Sequence, residues 1–306
     1  MVIDTTVKNN KGNKKYILSM DGGGVRTIAS IIFLTKLEEK LKTPLAEKFD
    51  FFIGTSAGAI SCLGFAINKM SAANLINIWS KENLTKIMTN SSWETSLGIM
   101  QINPKYTNEG KREVLTEFFS DKQLRDSHKP VAVTSYDIEK RLPVLITSYN
   151  DPDLSVVDSG DATSAAPVYY PTAQVGNRFL IDGGIVANHP ALHGYVEAKK
   201  LYPDNELVVL SIGTGLNKRA LKGKDSIGWG LIGWMMHDLF GLMVESSMDH
   251  ELAEELIGKN YLRINSPLGR VNRRLDDSSD SNIERIKNMG ESWWDEFGQK
   301  ALDLLK

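Results

Sequence analysis

Phe49-Asp50-Phe51-Phe52-Ile53-Gly54-Thr55-Ser56-Ala57-Gly58-Ala59-Ile60 decides how this chain folds. A mainly apolar run ends in glycine, and a small-residue helical pattern over Ala57 to Asn68 follows at once, so the stretch predicts a strand that turns sharply into a helix. Such a bend holds the Ser56 hydroxyl clear of the backbone as a nucleophile. Gly54 and Gly58 flank it because a Cβ in so tight a turn would collide with its neighbours. The helix N-terminus behind Ser56 also directs positive dipole at any oxyanion formed there.

A second strand-to-helix turn lies upstream. Tyr16-Ile17-Leu18-Ser19-Met20 runs into Asp21-Gly22-Gly23-Gly24-Val25-Arg26-Thr27, and apolar residues then recur at helical spacing from Ile28 to Leu41. Successive glycines let bare amides approach a ligand. Gly22, Gly23 and Gly24 therefore suit either a phosphate, as in a nucleotide-binding protein, or the oxyanion of an acyl-transfer intermediate. The dinucleotide pattern fits poorly, because Thr27 stands where its third glycine belongs and no acidic residue is well placed for a ribose; a Gly-Lys-Ser/Thr loop is absent. The oxyanion reading fits better beside a Gly-x-Ser-x-Gly turn.

Downstream, Phe179-Leu180-Ile181 ends in Asp182-Gly183-Gly184, which sets a carboxylate at a strand end with two glycines that allow another backbone close approach. Asn188 and Pro190 then mark a helix start, with Pro190 at the first helical position. The small-residue segment Asp161 to Pro167 is expected to pack tightly beneath the site. Cys62 falls among Ile60, Leu63 and Phe65 and reads as a buried hydrophobe rather than a reactive thiol.

Together these motifs resemble the patatin-like phospholipases, a family of lipid acyl hydrolases. The family pattern of Asp-Gly-Gly-Gly-x-Arg, Gly-x-Ser-x-Gly, Ala-Ala-Pro and Asp-Gly-Gly occurs here in the same order at Asp21 to Arg26, Gly54 to Gly58, Ala165 to Pro167 and Asp182 to Gly184. Asn188-His189-Pro190 and Ser211-Ile212-Gly213-Thr214-Gly215 add to the likeness, which covers roughly Lys15 to Gly215 and fades beyond Leu216. Thr27 departs from the glycine that the family often has. The resemblance implies a Ser56–Asp182 dyad, an oxyanion hole at Gly22 to Gly24, supporting roles for Arg26, Gly54, Gly58, Gly183 and Gly184, and no metal or cofactor. Arg26 could bind lipid phosphate or hold the loop by a salt bridge. It also implies a phospholipid or lysophospholipid substrate and peripheral contact with a membrane. Hydrolysis and acyl transfer both remain open, as does a scaffold that binds lipid with its chemistry unused. Among the histidines after Asp182, His189 is the main rival base.

Length and composition fit this reading. The chain of 306 residues can bury a large core, and no repeat or Pro/Ser-rich linker divides it. Residues 16–306 are expected as one domain, with the motifs in 15–215, a helical part over 216–306, and a polar, lysine-rich disordered lead-in over 1–15 that resembles neither signal peptide nor anchor. With 36 Lys and Arg against 38 Asp and Glu, nothing suggests a nucleic-acid partner. A single cysteine excludes an internal disulfide framework and fits a reducing compartment, so a cytoplasmic or membrane-peripheral location is expected, with non-classical export left open.

Strands are predicted near Tyr16 to Met20, Phe51 to Ile53, Pro130 to Tyr136, Leu142 to Ser148, Phe179 to Asp182 and Leu207 to Ile212. Helices are predicted over Ile28 to Leu41, Ala57 to Asn68, Ala73 to Trp79, Lys111 to Phe119, Pro190 to Leu201 and Asn282 to Leu305, with loops over Ser91 to Tyr106 and Leu268 to Asp280. The alternation gives an α/β fold of three layers, a mainly parallel central sheet with helices on both faces and the site at its strand ends. Ile227 to Met248, rich in Trp and Met but broken by glycines, is expected to be a core helix, or else an acyl-chain groove or membrane contact.

Overall fold

In the computed structural model, which describes residues 13–91, 103–221, 223–230, 233, 241–242 and 250–306, the apolar runs become strands of one mixed sheet. Among the described residues these are β1 (Lys14–Met20), β2 (Phe51–Gly54), β3 (Val131–Asp137), β4 (Leu142–Thr147), β5 (Ala173–Val175), β6 (Arg178–Asp182), β7 (Glu206–Ile212) and β8 (Tyr261–Ile264). Their order is β5-β6-β3-β2-β1-β7-β8, with β4 also paired to β3. The run from β3 through β2, β1 and β7 to β8 is parallel, whereas β4 and β6 lie antiparallel to β3, and β5 to β6.

Helices fill the connections: α1 (Thr27–Leu41), α2 (Leu45–Lys48), α3 (Ser56–Asn68), α4 (Ala72–Leu75), α5 (Lys81–Ile87), α6 (Glu109–Phe119), α7 (Val156–Thr163), α8 (Gly184–Ala187) and α9 (Ala191–Leu201). Because side chains alternate along a strand, the two faces of the sheet build separate cores. Leu18, Met20, Phe52, Leu210 and Ile212 join the larger core with α1 and α3. Ile17, Phe51, Ile53 and Val209 point the other way, into a smaller core with Ala191 and Ala198 of α9. The C-terminal helix (Asp280–Leu304) lies along α1, close enough that a Cβ on Gly290 would meet the Ala29 carbonyl oxygen at 2.6 Å.

Several expectations shift. Lys14 and Lys15, assigned to the lead-in, already belong to β1 and pair with Glu206 and Leu207. The helix expected over Ala73 to Trp79 is α4 followed by a tighter 3-10 turn, Ile76–Trp79. Pro190 caps α9 instead of opening it. Leu268 to Asp280 is a loop up to the final helix, as expected. The expected loop Ser91 to Tyr106 has 92–102 outside the described residues, and Ile227 to Met248 is described only at 227–230, 233 and 241–242, where Ile227 is exposed. Among the described residues no helix is long and apolar enough to cross a membrane.

Candidate active site

Ser56 sits on the bend its sequence predicts. Thr55 is still extended, with φ −123° and ψ 135°, and Ser56 then takes φ 53° as the first residue of α3. A left-handed serine costs about 1–3 kcal/mol and persists only where its surroundings hold it. Here the Ser56 N–H donates to Thr163 Oγ1 at 3.0 Å, and the Thr55 hydroxyl lies 2.6 Å from the Ala187 carbonyl and 2.8 Å from Thr134 Oγ1. The flanking glycines follow from crowding. A Cβ on Gly54 would meet Ala59 backbone atoms at 2.5 Å, and one on Gly58 would meet the Asp21 carbonyl oxygen at 2.4 Å.

The sheet explains how Asp182 reaches this bend from far along the chain. Both β2 and β6 pair on the edge of β3 opposite β4, with Gly54 beside Val133 and Asp182 beside Ser135. Because β2 is parallel to β3 and β6 antiparallel, their C-terminal ends converge at Thr134. Gly183 must lack a side chain there, since its Cβ would fall 2.2 Å from Thr134 Oγ1. Asp182 is buried, at 4% exposure, and its Oδ1 accepts the Gly184 N–H at 2.8 Å. Desolvation pushes the carboxyl up to about 6, against the Gly184 amide, a hydrogen bond from Ser56 and the charge of Lys111, all of which lower it.

The glycine loop lies across the same cavity. Its first amide is committed, for the Gly22 N–H donates to the Asn188 carbonyl at 3.2 Å. The Gly22 carbonyl accepts from Thr214 Oγ1 at 2.9 Å, so this residue is held through the peptides on both sides of it. Leu275 packs onto Gly24, which has φ 54° and whose Cβ would lie 2.2 Å from the Leu275 oxygen; Val25 N–H donates to that same oxygen at 3.0 Å. A phosphate cradle needs several amides open at once, and those of Gly22, Val25 and Arg26 are spent on the chain itself.

Arg26 is buried in the 3-10 turn Gly24–Arg26 and does not line the cavity. The guanidinium that holds Asp21 belongs instead to Arg263 of β8. Its Nη1 donates to Asp21 Oδ1 at 2.9 Å and to Ser211 Oγ at 2.8 Å, and its Nη2 pairs with Asp21 Oδ2. Burial alone would raise the Asp21 carboxyl, but Arg263 and then His189 outweigh it and hold it below the usual carboxylate range.

His189 belongs to this network and not to the Ser56–Asp182 cavity. Its Nδ1 lies 3.1 Å from Asp21 Oδ1 and its Nε2 3.1 Å from the Tyr261 hydroxyl, so both ring nitrogens have partners, and His189 is not among the cavity-lining residues. Burial and the neighbouring Arg263 charge push it below its ordinary value, against the pull of Asp21. We expect His189→Ala to lower the unfolding midpoint while kcat/KM stays within about tenfold of wild type. Losing a general base typically removes roughly 10²–10⁴-fold. Steady-state kinetics beside a denaturation curve checks this.

Ser56 and Asp182 open into a pocket that encloses about 930 Å³, including open solvent at its mouth. Its walls are apolar: Ile60, Trp79, Leu84, Ile87, Val114 and Leu115 line it, from α3, α5, α6 and the turn before α5. Such a wall suits a hydrocarbon chain. Tyr106, Tyr169, Tyr170 and Asp276 also border it, and the Tyr106 hydroxyl donates to Asp276 at 2.8 Å. Cys62 is buried, and burial pushes its thiol up, as a packing role requires. No local signal marks Lys111 or Arg263: one sits in an ordinary-looking amphipathic helix, the other in a strand of four residues.

The family model for patatin-like phospholipases matches residues 18–194. Patatin-like protein 4 of Arabidopsis thaliana is 31% identical over 345 residues, covering 94% of this chain and 86% of the relative. The cGAMP-activated phospholipase of Pseudomonas aeruginosa is 33% identical over 261 residues, covering 81% of this chain and 77% of the relative. Among solved structures, VipD from Legionella pneumophila shares the fold with a TM-score of 0.52 at 12% identity, covering 96% of this chain and 67% of that one. The strained serine and buried carboxyl that face this apolar pocket lie within the matched stretch, and the chain belongs to the patatin-like phospholipase family of lipid acyl hydrolases.

Proposed function

We propose that the protein cleaves carboxylic esters of phospholipids or lysophospholipids through a Ser56–Asp182 dyad. The observation that carries this reading is that the strained Ser56 and a buried Asp182, whose carboxyl desolvation pushes up to about 6, line one apolar pocket. An ordinary carboxylate, near 4, is a weak base for an alcohol. Desolvation narrows that mismatch, and contact supplies the rest by removing the cost of bringing base and nucleophile together.

In the first half-reaction Asp182 takes the Ser56 proton as Oγ attacks the ester carbonyl. With the Gly22 amide engaged, the amides of Gly23 and Gly24 and the N-terminal end of α3 serve the oxyanion; losing one such donor typically costs about 3 kcal/mol. Protonated Asp182 then gives its proton to the leaving alcohol, which breaks the ester and leaves acyl-Ser56. Water, deprotonated by Asp182, attacks the acyl-enzyme, and the proton returns to Ser56 as the fatty acid departs. The acyl chain lies along the apolar wall. The lipid reaches that wall from a membrane surface, which makes the contact peripheral.

Product analysis on defined phospholipids, lysophospholipids and neutral glycerides, with and without added acceptor alcohol, tests substrate and reaction together. Release of fatty acid from the phospholipid arms supports the reading; acyl transfer to the alcohol without acid, or action on glycerides alone, overturns it. Asp182 must be ionised to act as base. We therefore expect kcat/KM on a soluble short-chain ester to fall as pH drops through about 6, by about tenfold per unit below that point, and to level off above it. A pH–rate profile checks the limb.

A further inference from the structure

Lys111 is a buried lysine that the dyad chemistry does not use. It stands on α6 with its side chain 4% exposed and its Nζ 2.9 Å from Asp161 Oδ1; it donates to the Ser164 carbonyl at 3.1 Å and lies 4.2 Å from the centre of the Tyr170 ring. It lines the same cavity as Ser56 and Asp182. Burying an ammonium is expensive, and a leucine or methionine would pack against Tyr170 without that penalty, so a charge retained here calls for a use.

The turn that Lys111 grips provides one. Within five residues, Asp161 and Ser164 hold the lysine, Thr163 Oγ1 accepts the Ser56 N–H at 3.0 Å, and the Ala165 carbonyl accepts the Asp182 N–H at 3.0 Å. Nucleophile, base and lysine thus hang from one short segment at the end of α7. Asp161 does not absorb the whole lysine charge, because Arg112 also reaches its other oxygen at 3.0 Å while pairing with Asp158 at 2.8 Å. The groups that bear on Asp182 are Ser56 from α3, the Gly184 amide and Lys111 from α6; those that bear on Lys111 are Asp161 from α7, Arg112 on its own helix, Asp182 and the Tyr170 ring.

We propose, resting on the dyad reading, that Lys111 is a positioning residue for the reaction: the Asp161–Ala165 turn, which holds both its ammonium and the Asp182 N–H, fixes a positive charge in the cavity that Asp182 faces, so that the base is ionised when an ester arrives. Burial draws the Lys111 ammonium down, and the Asp161 carboxylate opposes that loss. An opposite charge nearby favours an ionised carboxylate, so removing it moves the acid limb of activity to higher pH.

The test is the pH profile of kcat/KM on p-nitrophenyl butyrate for wild type, Lys111→Met, Lys111→Gln and Lys111→Arg, each with an unfolding curve. Lys111→Met should shift the acid limb up by about one unit, a roughly tenfold loss at pH 5, while activity on the alkaline plateau stays within several-fold. Lys111→Arg should return the limb toward wild type. A Lys111→Met profile lowered by one factor at every pH, with its limb unmoved, overturns the proposal and leaves Lys111 a packing residue. Should Lys111→Met show no cooperative unfolding, the Gln and Arg variants carry the same comparison, because only Arg keeps the charge. Labelling of Ser56 by a fluorophosphonate, followed against pH, reads the same limb without turnover. If Ser56→Ala keeps its activity, the dyad itself has failed; if Ser56→Ala is inactive and the limb stays put, only the role of Lys111 has.

Discussion

Asp182→Asn is expected to reduce kcat/KM on a soluble ester by about 10⁴-fold, and Ser56→Ala by on the order of 10⁶-fold, with both proteins still folded. Asparagine keeps an oxygen that can accept the Gly184 N–H, so the strand end at β6 is preserved and the loss reports chemistry. It cannot take the serine proton. Because the two groups act as one unit, the double variant should be no worse than Ser56→Ala alone. Retention of more than about a tenth of wild-type activity in Asp182→Asn would remove Asp182 from the mechanism. Read together with His189→Ala, the outcome assigns the base, since the histidine variant should lose stability and the aspartate variant activity.

Arg263→Ala is expected to destabilise the fold by about 3–5 kcal/mol, the usual loss when one partner of a buried ion pair is removed and the other stays. Asp21 is 2% exposed and, among the described residues, would keep only His189 as a charged or side-chain partner. The pH dependence has a definite sign. In the wild type the Asp21 carboxyl lies below its unfolded value of about 4, so its contribution is present above that value and is lost as pH falls through the lower folded one. Without Arg263, burial raises the carboxyl instead, and the deficit of the variant should shrink as pH falls toward 4 and Asp21 protonates. Denaturant midpoints at pH 7 and pH 4 measure both. A deficit under about 1 kcal/mol at pH 7, or one that grows in acid, would show that Arg263 does not hold Asp21. Since Asp21 directly precedes Gly22, the variant should also loosen the Gly22–Gly24 loop.

Local pattern carried much of the architecture. The strand and helix around Ser56 were legible because their apolar run, glycines and small residues all act within a dozen positions. The same holds for β1, β7 and α1. The strands Ala173–Val175 and Tyr261–Ile264 were missed: one has three residues and the other carries a charge, and neither sustains a periodic signal. Arg26 was the natural candidate to hold the loop because it lies inside the motif. Arg263 does part of that work from 242 residues beyond Asp21, and nothing in its own neighbourhood advertises it. The antiparallel placement of β4, β5 and β6 likewise depends on which edge of β3 each one finds.

The amino-acid order alone determined the chemistry at each position: a serine on a tight bend, a carboxylate at a strand end, three glycines at a turn, and the apolar periodicities that make strands and helices. These are set by steric and hydrophobic preferences acting over a few residues. Only the tertiary structure decided that β2 and β6 converge on one edge of β3, that the Gly22 amide is already spent, that His189 is locked away with Asp21, and that Lys111 shares the cavity with Ser56 and Asp182. Each of these depends on contacts between segments tens to hundreds of residues apart, formed by packing that leaves no trace in local spacing.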